Sequence, residues 1–270
     1  MCRWLAYSGE AIYLEEIVSR PENSLVSQSL HCSEGKVDTN GDGFGIGWYG
    51  EKVEPGVYRE THPAWGDENL QDFCRLVQSP LFFAHVRAST GTPTTRENCH
   101  PFRVGSTMFM HNGQIGDYQK VRREVEMLIE DDLYGFRKGT TDSEAIFLGL
   151  LSYGFRRDAI AATNAYLRDL IAIMTRRDIK KPLRIGAAAS DGKRIFVLRY
   201  STDARVPSLY YRQTNGGVTI VSEPLDAVSQ DWVQVPDAHV TVFEEGKLCS
   251  STPICVKGAL DKRPELCEIA

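Results

Sequence analysis

The residues that could do chemistry sit in short, well-separated segments. Cys2 follows Met1. Loss of a methionine that precedes a small side chain would leave Cys2 with a free α-amine beside its thiol. That amine ordinarily titrates at about 7.7–8.0 and the thiol at about 8.5, so one residue would supply both a base and a strong nucleophile. The segment His85-Val86-Arg87-Ala88-Ser89-Thr90 closes an apolar run. Its Arg87 guanidinium can hold a carboxylate with two parallel hydrogen bonds, with the Thr90 hydroxyl nearby. Asn112 and Gly113 follow a second apolar run and offer a side-chain amide and a backbone N–H, the donors of an oxyanion hole. Asp142, in Thr140-Thr141-Asp142-Ser143-Glu144, opens a helical pattern, where its charge suits either the helix N-terminus or a substrate ammonium. Arg87 as a surface ion pair and Asn112-Gly113 as a plain tight turn are the ordinary alternatives.

Other motifs fail on mechanism. Gly45-Ile46-Gly47-Trp48-Tyr49-Gly50 satisfies GxGxxG. A dinucleotide site needs those glycines between a strand and a helix, whereas here they lie within a strand pattern and no helical pattern comes after them. Glycines in a strand point instead to close approach of another backbone or a ligand. Cys99-His100 suggests a cysteine–histidine pair, but neighbours in an extended segment before Pro101 point apart. His100 is better placed as a hydrogen-bonding wall residue. The seven cysteines contain no CxxC, so zinc ribbons and thioredoxin-like pairs lack their spacing, and reduced thiols are expected. Cys267-Glu268-Ile269-Ala270 is a poor prenylation box, with an acidic middle position and no basic run before it.

The elements that position these groups mix strands and helices. Strands are expected at 44–49, 81–86, 107–110, 184–189, 194–199, 209–212, 218–221 and 239–243. Helices are expected at 67–77, stopped by Pro80, and at 118–129, 142–151 and 159–174, with Thr141 capping the third. Helices flanked by strands on both sides suggest packed sheets with helical layers, not a repeating βαβ unit. The 270 residues carry 31 basic and 36 acidic side chains, a net of −5. That balance disfavours nucleic acid as a partner. No apolar run approaches the ~20 residues of a membrane helix, and no hydrophobic leader opens the chain, so a cytoplasmic location and no membrane are expected. One domain is expected over 2–246, followed by a short tail at 247–270.

The order of these motifs resembles the class II glutamine amidotransferases, over roughly residues 2 to 240. That resemblance implies an α+β fold: the four-layer αββα sandwich of the N-terminal-nucleophile hydrolases, two largely antiparallel sheets between helical layers. It implies Cys2 as the processed N-terminal nucleophile, Arg87 in a His-x-Arg-x-x-Thr motif on the substrate α-carboxylate, and Thr90 beside it. It further implies Asn112 and Gly113 as the oxyanion hole, Asp142 on the α-amino group, and His100, of Asn98-Cys99-His100-Pro101, in the pocket wall. Where sugar-phosphate synthases of that family carry a tryptophan that gates an ammonia channel, this sequence has Ala88. Nothing the size of their second domain is present. The chain therefore resembles the stand-alone branch, which implies hydrolysis of glutamine or a larger γ-glutamyl amide through a thioester, without metal or cofactor. The alternatives are a glutaminase subunit that feeds ammonia to a separate synthase partner and a non-catalytic module that binds glutamine or a γ-glutamyl compound.

Overall fold

The computed structural model describes residues 2–31, 39–89, 91–227 and 229–256; Met1, Thr90 and the expected tail beyond Val256 lie outside them. In chain order the strands are β1 (Arg3–Tyr13), β2 (Phe44–Trp48), β3 (Gly56–Glu60), β4 (Gln78–Val86), β5 (Phe102–Val104), β6 (Thr107–Gln114) and β7 (Arg184–Ser190). They continue with β8 (Arg194–Ser201), β9 (Tyr210–Thr214), β10 (Gly217–Val221), β11 (Val233–Gln234), β12 (His239–Glu244) and β13 (Lys247–Pro253). The helices are α1 (Glu15–Val18), α2 (Leu25–Leu30), α3 (Glu68–Leu76), α4 (Tyr118–Glu126), α5 (Asp131–Tyr134), α6 (Asp142–Ser152) and α7 (Ala159–Arg176). The first sheet runs β11-β9-β10-β1-β4-β2-β3 and the second β13-β12-β8-β7-β6-β5. All pairings are antiparallel.

Side-chain alternation explains the layering, because successive residues of a strand face opposite sides. In β1 and β4, Leu5, Tyr7, Phe82, Ala84 and Val86 pack with Leu14, Leu25 and Leu70 under α1–α3. Their neighbours Trp4, Ala6, Leu81 and Phe83 meet Met108, Met110, Ala188 and Val197 of the second sheet. The far face of that sheet, with Phe109, Ile185 and Ala187, packs on α4, α6 and α7. The result is the four-layer αββα sandwich. The helices begin where side-chain oxygens satisfy their first N–H groups: Asp67 accepts from Leu70 N–H at 2.8 Å, and Thr141 from Glu144 N–H at 3.3 Å.

One element was not announced and two expectations need correction. Residues 3–13 form the central strand β1, which no alternation announced. Pro80 does not stop a helix but lies inside β4, where the β1 register shifts between Ser8 and Ile12 and a residue without an N–H is tolerated. The segment expected as a tail after Gly246 continues as β13, paired to β12 through Val242–Ser250 and Val240–Thr252, with Ile254 and Val256 buried beyond it. Its run Ser250-Ser251-Thr252 is too polar to announce a strand. An edge position, with one strand neighbour, accepts it.

The glycines of β2 serve a close approach. A Cβ on Gly45 would lie 2.1 Å from the His100 carbonyl oxygen, and one on Gly47 2.4 Å from Met108 Sδ. We expect Gly45→Ala to destabilise the fold by about 1–3 kcal/mol, as overpacking against a backbone that cannot yield usually does. A urea midpoint equal to that of the wild type would contradict this.

Candidate active site

The β1–β4 register opposes Arg3 to Val86, which sets Cys2 beside the chain as it leaves β4. The Ala88 N–H donates to Cys2 Sγ at 3.3 Å, and the thiol faces the Ala88 carbonyl at 3.5 Å. Burial pushes the thiol pKa up, against the smaller opposing effect of the Ala88 N–H. At neutral pH the group is therefore a thiol. Arg3 Nη1 and Asn112 Nδ2 both donate to the Cys2 carbonyl, at 3.0 and 2.6 Å.

Arg87 is 3% exposed, which removes the surface ion pair as its role. Its guanidinium donates to the Asp42 carbonyl at 3.2 Å, to Thr92 Oγ1 at 2.7 Å, to the Pro93 carbonyl at 3.2 Å and to Ser89 Oγ at 3.2 Å. Among the described residues no carboxylate pairs with it. The Asp42 carboxylate instead accepts the Ser89 N–H at 2.7 Å. Asn98 fixes the same loop, donating to the Pro93 carbonyl at 2.9 Å and accepting the Thr140 N–H at 2.7 Å. The sequence reading missed Asp42, Ser89, Thr92 and the bridging role of Asn98. The Asn98-Cys99-His100-Pro101 motif was the one signal pointing to any of them.

Asn112 and Gly113 are not a turn, because β6 runs through both. Gly113 has φ 150°, and a Cβ there would lie 1.9 Å from the Arg184 carbonyl oxygen, so that position takes no side chain. Asn112 is buried, with its amide turned to the Cys2 carbonyl and its Oδ1 without a hydrogen-bond partner. Asp142 takes the first of its two expected places, the helix N-terminus. It sits at the start of α6, where its carboxylate accepts the Ser143 N–H at 2.8 Å and the Ile115 N–H at 2.7 Å, and it lines the cleft.

Three buried histidines back the site. The rings of His85 and His100 lie 4.1 Å apart, and none of their nitrogens has a hydrogen-bond partner. His111 engages Ser143 Oγ at 2.8 Å and the Arg184 carbonyl at 3.2 Å. Burial drives the His85 pKa down to about 3, lowers His100 well below its ordinary value, and lowers His111 against the pull of Asp142. Cys99 points away, with its Sγ 3.5 Å from the Glu60 carbonyl and 3.4 Å from that of Thr95, and burial pushes its thiol up to about 11. That geometry disposes of a Cys99–His100 dyad. Cys2, Arg87, His100, Gly113 and Asp142 share one cleft of about 840 Å³. Among the described residues no cluster has the composition of a metal site, and no helix is long and apolar enough to cross a membrane.

The histidines imply a sign for acid stability. A base whose pKa is lower folded than unfolded binds its proton in the unfolded state first, so stability falls as pH drops below about 6.5 and, for His85, continues to fall until about 3. Each such group contributes a slope of about 1.4 kcal/mol per pH unit inside its window. We expect urea unfolding to show this decline between pH 6.5 and 4, and His100→Gln to flatten it. An equal slope in that variant would remove His100 from the account.

A family model described as glutamine amidotransferases class-II matches residues 19–211. The chain is 31% identical to a probable glutamine amidotransferase, DUG3, of Saccharomyces cerevisiae, over 91% of this chain and 82% of that protein. It is 27% identical to the gamma-glutamyl-hercynylcysteine sulfoxide hydrolase of Mycolicibacterium smegmatis, over 89% of this chain and 94% of that one. A solved glutamine aminotransferase class-II domain protein from Silicibacter pomeroyi superposes with a TM-score of 0.73 at 31% identity, covering 94% of this chain and 99% of its own. The family match over most of the chain and the 31% identity to the yeast protein show that the chain, whose cleft brings together Cys2, Arg87 and Asp142, belongs to the class II glutamine amidotransferases.

Proposed function

We propose that the protein hydrolyses a γ-glutamyl amide through a thioester on Cys2, once Met1 has been removed. The observation that carries this reading is Arg87, a buried cation with no acidic partner among the described residues, opening into the same cleft as the Cys2 thiol and the Asp142 carboxylate. A free α-amino acid end matches that pair, its carboxylate on Arg87 and its ammonium on Asp142. The cleft volume lies well within the range of drug-sized ligands, which favours an amide larger than glutamine. The name of the hydrolase relative points the same way.

In this reaction the α-amine of Cys2 takes the thiol proton as sulfur attacks the γ-carbonyl carbon. The Gly113 N–H and the Asn112 amide stabilise the oxyanion, at about 3–4 kcal/mol per donor in comparable sites. Collapse breaks the C–N bond, and the ammonium returns its proton to the departing amine. Water then attacks the thioester, the same amine accepts the water's proton, and glutamate leaves as the thiol re-forms.

Cys2→Ala should abolish hydrolysis while the protein still binds substrate, and a chain shown by intact mass to keep Met1 should be inactive. Full activity in such a chain would sink the amine as base. Arg87→Lys keeps the charge but loses the planar fork. Charge-assisted bonds are worth about 1.5–3 kcal/mol, so kcat/KM should fall about tenfold or more. Capping the substrate α-carboxylate as an amide should cost the wild type a similar factor and the variant little more. Simple addition of the two losses would mean that Arg87 does not touch the carboxylate.

A further inference from the structure

The γ-glutamyl end accounts for Arg87 and Asp142 but leaves most of the charge in the cleft unused. Lys120, Lys181, Arg184 and Arg205 line it as well. Arg184 is closed off by Asp203, at 3.1 and 2.5 Å. Lys120 and Lys181 share one acid, Asp117, at 3.2 and 2.7 Å. Arg205 is exposed, and its guanidinium has no carboxylate partner among the described residues. These four cations face two carboxylates, an excess of two positive charges in a chain whose net charge is −5.

The excess has a definite place. Arg184 opposes Gln114 across β6 and β7, two residues beyond the Asn112–Gly186 pair, and Lys181 precedes it. Arg205 lies on the connection from β8 to β9. Arg199 Nε donates to the Pro207 carbonyl at 2.8 Å and Ser208 Oγ to the Ser222 carbonyl at 2.8 Å, fixing that connection just beyond Arg205. Arg184, Lys181 and Arg205 thus belong to the second sheet and its connections and Lys120 to α4 beside it, whereas Arg87 emerges from the first sheet. A neutral leaving amine such as ammonia would engage none of them. A cleft lined by one sign of charge concentrates ligands of the other sign.

We propose that this wall is a subsite for a carboxylate carried on the amine half of the substrate, with Arg205 and the Lys120–Lys181 pair as its donors. The proposal rests on the γ-glutamyl reading for where the other half lies. It makes the preferred substrates γ-glutamyl derivatives of amino acids or peptides with a free carboxylate.

The test compares γ-glutamylglycine with γ-glutamylglycinamide, which differ in that carboxylate. Exposed charge contacts are weak, so wild-type kcat/KM should favour the acid by about fivefold at low salt, with the ratio shrinking as salt rises. In Arg205→Glu the ratio should fall to one or below. The same preference should appear in the Kd values of the Cys2→Ala protein, where no turnover intervenes. Equal constants for the two compounds, or an unchanged ratio in Arg205→Glu, overturn the subsite and leave γ-glutamyl hydrolysis standing. Tighter binding of the acid without turnover of either compound would do the reverse.

Discussion

The cleft depends on how firmly the start of β1 is fastened. The first residues of a chain ordinarily fray, whereas the nucleophile proposed at Cys2 must hold its position to within about 0.5 Å. Three contacts prevent fraying here. Arg3 and Glu223 form an ion pair at 2.7 Å with both side chains almost wholly buried. Trp4 Nε1 donates across the sandwich to the Gly186 carbonyl at 3.1 Å. Ser222 and Trp4 bond each other through backbone and hydroxyl. A buried ion pair repays little of its desolvation cost as stability. Its contribution is register. A slip of one residue in β1 would turn every side chain, Cys2 included, to the opposite face.

The second constraint is charge. Arg87 is the one cation held in the depth of the site without a carboxylate among the described residues, and the three imidazoles around it stay neutral. Protonating His85 or His100 would place a like charge near Arg87. Burial prevents this more effectively than repulsion alone, since it is the leading cause of each depressed pKa. The guanidinium meanwhile is satisfied by neutral oxygens from Asp42, Ser89, Thr92 and Pro93, which orient it without cancelling its charge.

Much of this was legible in the sequence, for reasons that also explain the gaps. The apolar runs that became β4 and β6, and the periodic stretches that became α6 and α7, carry their own patterns, so those elements could be named, although β4 starts three residues earlier and β6 runs four residues further than the apolar runs. β1 could not be seen as a strand. Arg3 breaks its apolar opening, and its charge is paired with Glu223, which no local pattern connects to it. The loop that holds Arg87 was invisible for a similar reason. Its contacts run through backbone carbonyls of Asp42 and Pro93, groups that every residue type supplies. The Asn112-Gly113 dipeptide was ambiguous until the strand was seen to continue through it.

The glycines join these constraints. Gly45 lets the His100 carbonyl approach β2, and that approach brings the His100 ring against His85 and into the cleft wall. Gly113 does the same for the Arg184 carbonyl, the oxygen that engages His111. In both places a missing side chain admits a backbone oxygen, and the position of a histidine is set by it. A GxGxxG pattern that in another setting would face a pyrophosphate here faces the protein's own chain. Gly45 and Gly47 lie inside β2 and open no helix, so no helix N-terminus is there to meet an anion. Strand glycines that close sheet against loop thus shape the wall of the cleft as directly as the polar side chains that line it.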